Sequence, residues 1–97
     1  MGNAELGQVR LHPRAAWRTV AGEVFVVTDD RAFHRLAVPS ATAIFAALEL
    51  GPTDLDAIVA KLCERFEVEA GVARREADRF VRTLLDRGIA APAEGEG

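Results

Sequence analysis

RAFHRLAV, residues 31–38, is the stretch at which the chain changes character. Before it lie short segments rich in Val, Phe, Trp and Thr; after it, apolar residues recur at helical spacing. Read as a strand, the octet puts Phe33, Arg35 and Ala37 on one face and His34, Leu36 and Val38 on the other. Neither face is wholly polar or wholly apolar, so what lies beside this strand is the question the fold must answer. Pro39 follows directly and, lacking an amide hydrogen, fits the first turn of a helix.

Upstream, AAWRTV (15–20) and EVFVVT (23–28) carry the β-branched and aromatic residues that pack well on a pleated surface. Ala21 and Gly22 supply the turn between them. Both faces of VFVV are apolar, which predicts a central strand. The turn at Asp29-Asp30-Arg31 then leads to AFHRLAV (32–38) as the third strand. A three-stranded antiparallel meander is the simplest topology, with the first and third strands at its edges.

Downstream, PSATAIFAALEL (39–50) places Ala41, Ile44, Phe45 and Leu48 on one helical face. Gly51 and Pro52 end that helix. Thr53 reads as the N-cap of a second helix, with Asp56 completing an approximate capping box. That helix, TDLDAIVAKLCERF (53–66), shows Leu55, Ile58, Val59, Leu62 and Phe66 on one side. EVEAG links it to a third, VARREADRFVRTLLDR (72–87), whose stripe is Ala73, Ala77, Phe80, Val81, Leu84 and Leu85. Gly88 suits the left-handed position past its end, with Ile89 folding back on the last turn. Strands first and helices after give an α+β class. The architecture is winged-helix-like: a three-stranded antiparallel sheet followed by three helices, all sharing one core.

A chain of 97 residues, 49% hydrophobic, makes one domain with a modest core and a thin stability margin. It has neither an apolar run long enough to cross a membrane nor the pattern of a signal peptide, so a cytoplasmic location is the default expectation. Cys63, the single cysteine, excludes an internal disulfide and an all-cysteine metal site. The net charge of −3 argues against a dedicated nucleic-acid binder.

Catalysis has little to draw on. Ser40 is the only serine and falls near a helix start, where a helix-terminal role suits it better than nucleophilic attack. His12 and His34 lie far apart and no metal-ligand spacing surrounds them. Cys63 sits at the edge of an apolar helix face and reads as a structural thiol. No glycine-rich phosphate loop is present. No catalytic residue, metal or cofactor is therefore expected.

Two features remain. The third helix carries Arg74, Arg75, Arg79, Arg82 and Arg87 against Glu76, Asp78 and Asp86, and the pairs 74–78, 78–82 and 82–86 have helical i,i+4 spacing. This is either a self-paired solvated face or a site for an anionic partner. The other feature is the edge of the third strand, blunted only by Arg35 and by Pro39 just beyond it. Main-chain pairing with an outside peptide is physically available there, unless the N-terminal arm or a second subunit covers it.

The order of these pieces resembles the PqqD-like family of small peptide chaperones, the RiPP recognition elements. The pieces that carry the likeness are His34-Arg35-Leu36 at the strand end, Ile44-Phe45 in the first helix and Gly51-Pro52-Thr53 followed by Ile58 and Leu62 across the turn. The third helix adds Asp78, Phe80, Leu84 and Gly88. The likeness covers about residues 15–91; the Leu-Asn that often opens the family's first helix is replaced here by AVPS.

The resemblance implies a non-catalytic adaptor. Such a protein holds the leader of a ribosomally made precursor peptide for a separate modification enzyme, the leader adding as a strand beside the third strand. Carried over, the strand is Phe33, His34, Arg35, Leu36, Ala37 and Val38, and the groove wall on the third helix is Arg74, Asp78, Val81, Arg82 and Leu85. The implied layout is a flexible arm over 1–14, the peptide-binding domain over 15–91 and a disordered tail over 92–97, acting free-standing as monomer or homodimer. The competing readings are a winged-helix DNA-binding regulator and a plain protein–protein docking module.

Overall fold

The computed structural model describes residues 6–93. The strands are β1 (Val9–Leu11), β2 (Ala16–Val20), β3 (Glu23–Val27) and β4 (Phe33–Leu36). Three helices follow, α1 (Pro39–Glu49), α2 (Leu55–Arg65) and α3 (Ala70–Asp86), and a last short strand, β5 (Ala90–Pro92). The class is α+β, with an antiparallel sheet ordered β2-β3-β4 before the helices. VFVV is central and the first and third strands of the meander are its edges, as the apolar pattern requires.

The β2–β3 hairpin closes on the pair Val20–Glu23. Ala21 and Gly22 both take positive φ, 53° and 80°, the signature of the two-residue type I′ turn whose twist matches the flanking strands. Val24 and Val26 point into the core, while Glu23, Phe25 and Val27 lie on the other side. Phe45 on α1 is fully buried and meets the Trp17 ring edge-on at 5.6 Å. The Trp17 Nε1–H donates to Glu49 Oε2 (2.8 Å), which ties β2 to the end of α1. The stripes on the three helices and the inner face of the sheet form one continuous core.

Several boundaries differ from the sequence reading. Residues 9–11 are not part of an irregular arm: Val9–Leu11 pairs antiparallel with Ala90–Pro92 as a second, two-stranded sheet. Val9 also exchanges two backbone bonds with Thr53 (2.7 and 2.9 Å) and is buried. Three-residue strands carry too little alternation to be seen in a sequence. Pro92 belongs to this pairing; residues 94–97 of the expected tail and 1–5 of the expected arm lie outside the described residues.

Thr53 is occupied by its bridge to Val9, so the N-cap of α2 is Asp54, whose carboxylate accepts from Ala57 N–H (2.9 Å). Helix α3 begins two residues before the expected start at Val72, at Ala70 after extended Glu69. Its end follows the expectation. Gly88 (φ 75°) donates to Leu85 O and Ile89 to Leu84 O, a Schellman motif whose hydrophobic contact is supplied by two buried residues, Leu84 and Ile89. Phe80 is only half-buried; Ala77 and Val81 form the buried centre of the α3 stripe.

Candidate functional site

Strand β4 alternates as a half-buried strand should. Val24 opposes Leu36 and Val26 opposes His34 on the core side, where Val26 is fully buried and Leu36 is 9% exposed. Phe33 and Arg35 face outward. Phe33 is 66% exposed and stacks on Phe25 at 5.9 Å. Arg35 holds Glu23 through two bonds, Nε to Oε1 (2.6 Å) and Nη2 to Oε2 (3.1 Å). This pairing, chiefly the Arg35 hydrogen bond, holds the Glu23 carboxyl below its ordinary pKa and raises that of Arg35.

Pairing stops at Leu36. Ala37 and Val38 are exposed and unpaired, because Val38 is already the N-cap of α1: its carbonyl accepts from Thr42 N–H (3.0 Å) and Pro39 sits at the helix start. The strand paired to β3 is therefore shorter than the octet suggested.

The phase of the hydrogen-bond ladder decides what the edge offers. Thr28 N–H donates to Ala32 O (3.0 Å) at the β3–β4 turn. In an antiparallel pair, bonded and non-bonded positions alternate. With this register Val26–His34 and Val24–Leu36 are bonded pairs, and Val27–Phe33 and Phe25–Arg35 are not. The β2 hairpin agrees, since a two-residue turn closes on a bonded Val20–Glu23 pair and so assigns the odd residues of β3 to β2. The N–H and C=O groups of Phe33 and Arg35 thus point away from the sheet, and among the described residues no segment pairs with them.

The core side of β4 and the stripe of α3 belong to the same core, while the elements packed closely on α3 are α2 and β5. Of the α3 residues assigned to a groove wall, Val81 is 1% exposed and lies within the core, and Leu85 is half-buried against it. Arg74 is exposed and bonds Asp56 of α2, across helices rather than along its own. Half-buried Asp78 takes the Arg82 Nε–H on both oxygens (3.2 and 3.1 Å), the i,i+4 pair that the spacing predicts.

His34 has a feature that sequence could not show. Its Nε2 is buried and has no hydrogen-bond partner, and it is the one such side-chain nitrogen or oxygen found among the described residues. The β3–β4 turn before it is held by Asp30, whose carboxylate accepts from the Thr28 hydroxyl and from Ala32 N–H. These bonds, the hydroxyl foremost, lower the Asp30 pKa. Among the described residues no group of three or more His, Cys, Asp or Glu side chains gathers as a metal site would. No helix there is long and apolar enough to cross a membrane.

Comparison with known proteins follows the same outline. The family model described as coenzyme PQQ synthesis protein D (PqqD) matches residues 33–90, more than half of the chain, from the first residue of β4 to the start of β5. No curated protein matches. A solved structure, TbiB1 in complex with the TbiA(beta) leader peptide, superposes with a TM-score of 0.78, covering 91% of this chain and 98% of that one. At 19% identity the likeness is one of fold.

Proposed function

This chain belongs to the PqqD family, and on that premise we propose that it is a non-catalytic adaptor that binds the leader of a ribosomally made precursor peptide by strand addition to β4. It presents that peptide to a separate modification enzyme, in the cytoplasm where such precursors are synthesised. The observation that carries the reading is the open edge of β4, with two residues whose donors and acceptors face outward in a phase that one more strand can complete. Support comes from the fold shared with TbiB1, a protein solved with a leader peptide bound. The site is β4 together with the α3 residues Arg74, Asp78, Arg82 and Leu85 that flank the core, with Val81 supporting the wall from beneath. Backbone pairing supplies affinity and the side chains of the incoming strand supply selectivity.

The test is calorimetric titration with leader segments encoded by short open reading frames beside the gene, combined with amide exchange. Binding that slows exchange at Phe33 and Arg35 supports the reading. Saturable binding that leaves both amides unprotected places the partner elsewhere and refutes it.

A further inference from the structure

We propose that His34 sets the selectivity of the added-strand site, its buried Nε2 taking a hydroxyl- or carboxamide-bearing side chain of the incoming peptide as hydrogen-bond partner. The inference rests on the strand-addition reading and names the chemistry that site selects. A buried polar atom without a partner carries an uncompensated desolvation cost, and such atoms are few in native proteins. Here the described residues contain one, and it lies on the strand whose outer edge is open.

The geometry is specific. Phe33 and Arg35 offer the outward backbone bonds, so an antiparallel added strand forms bonded pairs with them and a non-bonded pair at His34. Non-bonded positions bring facing side chains closest, with Cα atoms about 4.5 Å apart. The peptide residue opposite His34 shares its face of the sheet, the core side with Leu36 and Val26. His34 is half-buried as a residue while its Nε2 is closed to water in the free chain, so the incoming side chain reaches that atom by displacing its cover. A neutral imidazole nitrogen either donates or accepts according to tautomer. Hydroxyl and carboxamide groups satisfy both cases, whereas an aliphatic side chain leaves the buried atom without a partner.

The experiment uses a displayed library of random peptides, selected in parallel on the immobilised wild-type chain and on His34→Leu. The proposal expects wild-type selections to share Ser, Thr, Tyr, Asn or Gln at one position, and His34→Leu selections to lose that preference for an apolar residue. Replacing the shared residue in a selected peptide by an apolar one should weaken binding to the wild type about tenfold and to His34→Leu far less. The peptide-side substitution is read on the wild-type chain, so it decides the matter even if the variant melts. The same consensus from both proteins, or an apolar residue at that position with the wild type, overturns the assignment of His34 and leaves strand addition standing. Selected peptides that fail to protect the Phe33 and Arg35 amides overturn both.

Discussion

Two proline substitutions one residue apart should have opposite consequences. The His34 amide belongs to a bonded pair with Val26 and the Arg35 amide points to the open edge. His34→Pro removes a ladder donor and strands the carbonyl of Val26, a fully buried residue. An unsatisfied buried acceptor costs about 1–3 kcal/mol, and the fixed φ of proline in an extended strand adds to it. Against a total stability of roughly 5–15 kcal/mol for a chain of this size, that is a large share. Arg35→Pro leaves the ladder intact, because edge strands tolerate proline where the amide faces outward. It also breaks the exposed Arg35–Glu23 pair, for which Arg35→Ala is the control. A peptide strand loses one backbone bond at Arg35→Pro, worth about 0.5–1.5 kcal/mol, and meets the proline ring where its own carbonyl should sit. The combined loss should reach about tenfold or more in Kd relative to Arg35→Ala. Urea unfolding gives the stabilities and calorimetry with a bound leader gives the affinities. Equal destabilisation by both prolines, or Arg35→Pro binding like Arg35→Ala, would refute the assigned phase of the ladder.

Other outcomes follow from the core and the turns. Phe45→Ala, at a fully buried ring, should cost about 3–5 kcal/mol in urea unfolding, and Phe80→Ala distinctly less because Phe80 is half-buried. Val9→Ala should cost about 2 kcal/mol, where a loose arm would cost nothing. Ala21→Asn should stabilise the chain by about 0.5–1 kcal/mol, since asparagine accepts the positive φ of a type I′ turn more readily than alanine. The Glu23 and Asp30 carboxyls have lowered native pKa values, so their contribution is present above the unfolded pKa and fades as the pH falls through the native one. Melting curves across the acid range should therefore be flatter for Asp30→Asn than for the parent.

The meander, the three helices and their buried faces were legible because each repeats its period several times: VFVV reads as central, and the α3 stripe recurs over four turns. Gly88 with Ile89 was legible because a left-handed cap has a narrow residue preference. The terminal sheet was not, since VRL and AAP hold too few residues to express a period and pair across almost the whole chain. The N-cap of α2 was misplaced for a related reason. Thr53 and Asp54 are both good caps, and a backbone bridge to distant Val9 decides between them. At the candidate site, composition and resemblance pointed to β4, but neither reports which amides face outward. That phase depends on the register of a turn, and the orphaned Nε2 of His34 on three-dimensional packing.

The pairing of β1 with β5 also determines how the molecule carries load. Val9 and Pro92 lie opposite each other at the same end of that sheet, and Ala93 N–H bonds Gln8 O (2.9 Å) just beyond them. Tension applied between two tethers, one before Gln8 and one after Ala93, meets these bonds one at a time, as a zip rather than in shear. The C-terminal strand peels first, because β1 keeps a second hold through the two bonds between Val9 and Thr53. Mechanical yielding begins at this terminal sheet, while the β2-β3-β4 sheet lies outside the first rupture.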